Sequence, residues 1–307
     1  MAVYVLMFRK CILICSLLVC ILNKNSASFE AFTQPQGILF LCPYISFGWK
    51  NSPYTDGRSG YQYNDKDKIT SLYQGLFLEY GLTKKITLGF DTYVAEMWTS
   101  KTGKIAGKPQ DKAFSLDWLS IFGRYNFIEY GNFFMSVYTA LNFPKFGRGT
   151  GRFDTFSRST GNYRRWQNLW RLETGLKFEG GHYITINIGY QANYGYTYDI
   201  AEFKVTNLLK FPYGFMLYSF FKKQAYITKG NELYAFAQQR MFNLDAFDFV
   251  TNGGYTSFGV YFGKKIMNKP SVSVVIAYTR SLNSVIFQNK TMNINSNMFW
   301  FEFWIFV

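Results

Sequence analysis

Residues 183–194 read Tyr-Ile-Thr-Ile-Asn-Ile-Gly-Tyr-Gln-Ala-Asn-Tyr, and this stretch narrows the possible folds sharply. Successive side chains of an extended strand point to opposite faces. Ile184, Ile186, Ile188, Tyr190, Ala192 and Tyr194 therefore share one face. Thr185, Asn187, Gly189, Gln191 and Asn193 share the other. One side wants an apolar neighbour and the other wants water. The same two-residue period returns along most of the chain.

Extended to the whole sequence, the alternation predicts twelve strands. They lie at about 37–49, 69–80, 85–98, 113–128, 132–144, 166–179, 183–194, 200–211, 214–222, 254–264, 271–282 and 297–307. In the third, Ile86, Leu88, Phe90 and Val94 oppose Thr87, Gly89, Asp91 and Tyr93. In the last, Phe299, Phe301, Phe303, Ile305 and Val307 share a face. Short connections near 81, 129, 180, 212 and 264 alternate with long ones near 50–67, 99–112, 145–165, 223–253 and 283–296, and with a shorter sixth at 195–199. The stretch 223–253 reads either as a loop or as holding a further hairpin near 232–240, which would raise the count from 12 to 14.

The N-terminus resembles an export signal. Arg9 and Lys10 precede the apolar run Cys11–Leu22, and Ser26-Ala27-Ser28 offers small residues for cleavage. That run is too short to span a bilayer comfortably, which favours a cleaved signal over 1–28 above a retained anchor. A single domain over 29–307 would remain. Cys11, Cys15 and Cys20 would leave with the signal, so Cys42 has no intramolecular disulfide partner. It reads as a small apolar residue of the first strand.

Composition excludes a helical membrane protein. Mean hydropathy is −0.09 and no run of 18 apolar residues follows residue 28, yet aromatics make up 21% of the chain. An all-β fold, a transmembrane antiparallel β-barrel of about 12 strands in up-and-down order, accounts for both the alternation and the export signal. A bacterial outer membrane is its expected place. A soluble β-sandwich is the competing architecture, and a final strand at the extreme C-terminus weighs against it.

Little in the sequence supports catalysis. His182, the one histidine, falls in a short turn beside Gly180 and Gly181. Neither a catalytic residue, a metal site nor a cofactor is expected. Gly147-Arg148-Gly149-Thr150-Gly151 follows no buried parallel strand and precedes no helix, so it is no phosphate loop. Charges are more telling. Glu79, Asp91, Arg124, Arg171, Glu173, Lys177, Glu202 and Lys204 fall on the polar faces, as does Glu302. An Arg or Lys facing lipid at mid-depth costs roughly 2–4 kcal/mol, so these residues belong in the lumen. There they form either a charge filter or a set of pairs that plugs the barrel.

The loop 145–165 carries Arg148, Arg152, Arg158, Arg164 and Arg165 with Lys145, interleaved with Phe146, Phe153, Phe156 and Tyr163. Arg forks suit phosphate and carboxylate, and the loop reads either as a capture site for acidic glycan or as a solvated basic surface. The formal charge of +14 falls to +11 once Arg9, Lys10 and Lys24 leave with the signal. Such a balance in an exported protein suits outer-membrane lipid, lipopolysaccharide, and anionic solutes or glycans rather than nucleic acid. The final strand would present the signal read by the barrel assembly machinery.

The stretch Glu79-Tyr80-Gly81-Leu82-Thr83-Lys84-Lys85-Ile86-Thr87-Leu88-Gly89 resembles the second hairpin of a family of bacterial outer-membrane transporter-like barrels. That family is similar to exopolysaccharide-linked barrels and to the meta-pathway phenol-degradation porins. Ala31-Phe32-Thr33-Gln34-Pro35 resembles its start after the signal, and Asp199-Ile200-Ala201-Glu202 its mid-barrel strands. The resemblance implies a barrel of this size, and neither a substrate nor catalytic residues. Val307 stands where such barrels usually end in an aromatic, and Asn289-Lys290-Thr291 lacks a Gly-rich run. The functional expectation is a channel, or a transporter or exporter component, for small or acidic solutes. The alternative is a structural or adhesion-related, polysaccharide-associated barrel with a plugged lumen and ligand-binding surface loops.

Overall fold

The computed structural model describes residues 32–51, 55–56, 61–62, 68–99, 112–143, 146–149, 166–193, 198–228, 252–287 and 290–307. The segment read as a signal, and Arg152, Arg158, Arg164 and Arg165, lie outside them.

Twelve long strands carry the fold: β1 (Leu39–Asn51), β2 (Lys68–Gly81), β3 (Ile86–Thr99), β4 (Lys112–Tyr130), β5 (Phe133–Asn142), β6 (Gln167–Lys177), β7 (Tyr183–Asn193), β8 (Tyr198–Lys210), β9 (Phe215–Thr228), β10 (Asn252–Met267), β11 (Ser271–Phe287) and β12 (Lys290–Phe306). Each pairs antiparallel with its neighbours in sequence, and β12 pairs with β1, so the sheet closes. Backbone bonds between Leu39 and Val307 seal the seam at 2.9 Å in both directions. Closure pairs each of the twelve long strands on both sides, which hydrocarbon demands.

The alternation sorts the side chains as the sequence predicts. Ile184, Ile186 and Ile188 stand exposed on the outer surface, while Tyr183, Thr185 and Asn187 are buried. The same holds for Ile121 and Tyr125 against Phe122 and Arg124, and for Phe299 and Phe301 against Glu302. The resulting outer band of exposed Ile, Leu, Val and Phe runs right around the barrel. In water such a band would far exceed the apolar patch of an ordinary soluble protein; against lipid it costs nothing.

Two expectations need correction. The stretch 283–296 is not a long loop: β11 and β12 continue through it to Phe287 and from Lys290, with Leu282 opposite Asn295 and Phe287 opposite Lys290. β9 likewise runs on to Thr228 rather than ending near 222. The physical reason is common to both. Roughly 9–11 tilted residues suffice to cross the hydrocarbon. Beyond it both strand faces meet water, so the apolar alternation fades while the backbone ladder persists. Inside the stretch read as the loop 145–165, Phe146–Gly149 pairs with Ala113–Leu116 of β4. The hairpin considered near 232–240 lies outside the described residues.

The core of this barrel is its lumen. Ile38, Phe40, Cys42, Tyr183, Leu208, Tyr218, Val275, Trp304 and Phe306 pack into one buried cluster at the end of the short turns. In outer-membrane barrels the short turns face the periplasm. Phe40 stacks on Phe306 with centroids 4.6 Å apart.

Candidate lumen site

The chain enters the barrel before it enters the wall. Residues 32–38 lie inside the short-turn mouth, ahead of β1. The Phe32 ring meets Phe134 and Tyr183 edge-on, at centroid distances of 4.6 and 5.3 Å. The Gln34 backbone N–H donates to Thr87 Oγ1 at 2.7 Å, and its Nε2 donates to Glu79 Oε2 at 2.9 Å. Gly37 N–H donates to Gly81 O at 2.8 Å, and Thr33 Oγ1 donates to Lys84 O at 2.9 Å. Gly81 is required for this approach: a Cβ there would stand 2.1 Å from Pro35 O. The wall thus supplies hydrogen-bond partners to a segment with few of its own from the ladder.

Above this segment lies a belt of charge set by strand register. Thr87, Arg124, Tyr138, Arg171, Gly189, Glu202 and Gln224 fall in one cross-strand row from β3 to β9. The row next toward the short turns holds Asn126, Ser136, Glu173, Asn187, Lys204, Lys222 and Ser257. Arg124 Nη1 donates to Glu79 Oε1 at 3.0 Å, and its Nε donates to Glu173 Oε2 at 2.7 Å. Its Nη1 also reaches Phe32 O at 3.5 Å, which ties the wall to the entering segment.

On the other flank, Arg171 Nε lies 2.7 Å from Glu202 Oε1, and Lys222 Nζ lies 2.8 Å from Glu202 Oε2. Gln224 Nε2 also donates to Glu202 at 2.8 Å. Gly189 separates Arg171 from Glu202 in the row, and a Cβ on it would sit 2.9 Å from Arg171 Cγ. Its absence lets the guanidinium reach across. Tyr138 joins the two clusters, with Arg124 5.6 Å and Arg171 5.1 Å from its ring centroid. Charges taken from water cost several kcal/mol each unless paired. Each of these charges lies within 3.0 Å of an opposite charge.

The residues picked from the sequence separate into three groups. Glu79, Arg124, Arg171, Glu173 and Glu202 come together in the belt. Lys204 lies beside it, its Nζ 5.3 Å from the Phe220 ring centroid. Asp91 and Glu302 stand apart, on β3 and β12. Tyr44 Oη donates to Asp91 at 3.5 Å, while Cys42 and Trp304 donate to Glu302 at 3.7 and 2.6 Å. Lys177 is exposed at the short-turn mouth, below the belt. Arg148 lies in the short strand paired with β4.

Sequence reasoning missed Gln34, Tyr138, Lys222 and Gln224. Around Lys222 the reason is plain. Residues 215–221 read Phe-Met-Leu-Tyr-Ser-Phe-Phe, apolar on both faces, because the inner face packs into the lumen cluster. No alternation remained to show that Lys222 points inward. Gln34 precedes every strand, so no period could place it.

The fold defines the class: a closed twelve-stranded transmembrane β-barrel whose own residues 32–38 lie in its short-turn mouth. No protein-family model and no curated protein matches the sequence. Among solved structures, an outer-membrane channel from Pseudomonas putida F1 is similar, with a TM-score of 0.54 at 12% identity, covering 93% of this chain and 100% of that one. The translocator domain of the autotransporter NalP from Neisseria meningitidis gives 0.44 at 10% identity, over 88% of this chain and 89% of that one. A FadL homologue from Pseudomonas aeruginosa gives 0.40 at 9%, again over 88% and 89%. At such identity the first likeness speaks for the fold.

Proposed function

We propose that this barrel is an outer-membrane channel for small solutes whose resting path is closed by residues 32–38. The observation that carries the reading is the lodging of Gln34 on Glu79 and Thr87, with Phe32 between Phe134 and Tyr183. These contacts are specific but few. Each net hydrogen bond is worth about 0.5–1.5 kcal/mol, so a withdrawn segment would lie a few kcal/mol above the closed state and remain populated. Withdrawal would leave the belt as the narrow charged passage. Arg171, Lys204 and Lys222 around Glu202 support a preference for acidic solutes on that side. The similarity to the Pseudomonas putida outer-membrane channel agrees with this reading without naming a solute. Export by a cleaved signal over 1–28, delivery by the barrel assembly machinery and glycan capture by Arg148, Arg152, Arg158, Arg164 and Arg165 complete the proposal.

Planar-bilayer conductance of the refolded mature chain tests it, beside a variant lacking residues 29–36 and a milder Phe32→Ala/Gln34→Ala variant. Rare small openings of the wild type and large stepwise currents from the variants are expected. No current from variants verified as folded would favour the second reading, a structural barrel with a plugged lumen. The packing of Phe40, Tyr218 and Trp304 in the same mouth favours that reading, since this cluster stays after the segment leaves.

A further inference from the structure

Three lysines stand at the short-turn mouth, away from the belt. Lys177 ends β6, Lys210 ends β8, and Lys265 lies near the end of β10. They follow the buried inward residues Gly175, Leu208 and Gly263 by two positions each, so all three belong to the lumen face. The Lys210 side chain lies over the turn before β7, with Nζ 3.2 Å from where a Cβ of Gly181 would stand. In the sheet, β6 with Lys177 and β10 with Lys265 stand two strands to either side of β8 with Lys210. Its backbone N–H donates to His182 Nδ1 at 3.0 Å, which fixes the end of β8 beneath this turn.

Among the described residues, none of the three forms an ion pair with a carboxylate. The nearest acid in sequence, Glu179, is exposed in the turn and pairs with none of them. The contrast with the belt is sharp, because every belt cation that forms an ion pair does so with a buried carboxylate. Three like charges gathered over a partly covered mouth repel one another, and a multivalent anion relieves that repulsion. Lysine serves phosphate as a point charge without needing a rigid fork.

We propose that Lys177, Lys210 and Lys265 form a site for a phosphate group at the periplasmic mouth of the lumen. The phosphate can belong to a soluble phosphorylated solute or to the headgroup of an anionic phospholipid of the inner leaflet. The site does not depend on conduction, since a closed barrel presents the same three ammonium groups.

Calorimetric titration of pyrophosphate into the refolded mature chain in phosphatidylcholine vesicles tests the site. Two variants run beside the wild type: K177Q/K210Q/K265Q, and K85Q/K264Q/K269Q, which removes the same charge from other lysines of the same end. Heat-modifiable gel migration verifies that each is folded. Saturable binding that weakens at least tenfold in the first variant and less than threefold in the second is the expected result. Adding phosphatidylglycerol identifies the source. Weakened pyrophosphate binding by the wild type would assign the site to the lipid headgroup, and unchanged binding to soluble phosphate. Equal weakening in both variants would show a diffuse positive field, and would overturn the site. So would the absence of saturable binding by the folded wild type. Since binding is read without current, this result stands apart from the conductance test.

Discussion

Two charge clusters flank Tyr138 and are built in opposite senses. In one, Arg124 serves two carboxylates, Glu79 and Glu173. In the other, the carboxylate Glu202 serves two cations, Arg171 and Lys222. The first is sealed: its side chains are 0–5% exposed, and it holds the entering segment through Gln34 and Phe32 O. The second is open to the lumen, with Arg171 15% and Lys222 23% exposed, and its ion pairs run between residues of the wall. A like inventory of charges thus supports two tasks. Burial and its contacts to Gln34 and Phe32 make the first cluster the one that ties the wall to the entering segment, and partial hydration suits the second to the solute-meeting role proposed for it.

Replacing Arg124 should separate the two most strongly. Arg124→Met would leave Glu79 and Glu173 buried without a cation, at a cost of about 3–5 kcal/mol. Urea titration of the heat-modifiable band would read the loss. A cost below about 1 kcal/mol, the scale of an exposed pair, would mean that the first cluster is as hydrated as the second. Glu202→Gln removes the shared acid of the open cluster. A smaller loss is expected, on the order of 1–3 kcal/mol, because water can reach both cations. Reversal potentials in a salt gradient should move toward anions, and an unmoved potential would take the second cluster off the permeation path.

Gln34→Ala loosens only the tie to the entering segment. It removes the side-chain hydrogen bond to Glu79 and should cost about 0.5–1.5 kcal/mol, lower the urea midpoint modestly and raise the frequency of current openings. A lower urea midpoint with unchanged openings would make Gln34 part of the wall's stability rather than of the plug. The smallest effect belongs to Lys204→Gln, which removes the ammonium over Phe220 beside the open cluster. A cation–π contact of this kind is worth about 0.5–1 kcal/mol, visible as a slight shift of the urea midpoint. A larger loss would bring Lys204 into the Glu202 cluster in its own right.

The strands around these clusters were legible because the bilayer imposes one rule on every crossing. A residue facing lipid must be apolar, so Leu172 and Leu176 alternate with Arg171, Glu173 and Gly175, and the inward charges showed themselves. Where the rule relaxes, legibility fails. Past the hydrocarbon, Asn283 and Asn293 sit in a regular ladder that their polarity conceals. Inside the packed mouth, Tyr218 and Phe220 are apolar although they face the lumen, and they hid the direction of Lys222.

By itself the sequence determined an up-and-down barrel of about twelve strands, the face of the charges that alternate with lipid-facing apolar residues, and the short-turn end at which both Leu39 and Val307 sit. Those are local consequences of a two-residue period meeting a lipid boundary. Only the tertiary structure decided which charges meet. Arg124 and Glu173 lie 49 positions apart and Cys42 and Glu302 lie 260 apart, and nothing local relates them. Their meeting depends on the register of every strand between and on the curvature that turns the inner faces toward one another. The same holds for residues 32–38. Their place in the lumen follows from a Gln, a Phe and a missing side chain at Gly81 that become neighbours once the barrel has closed.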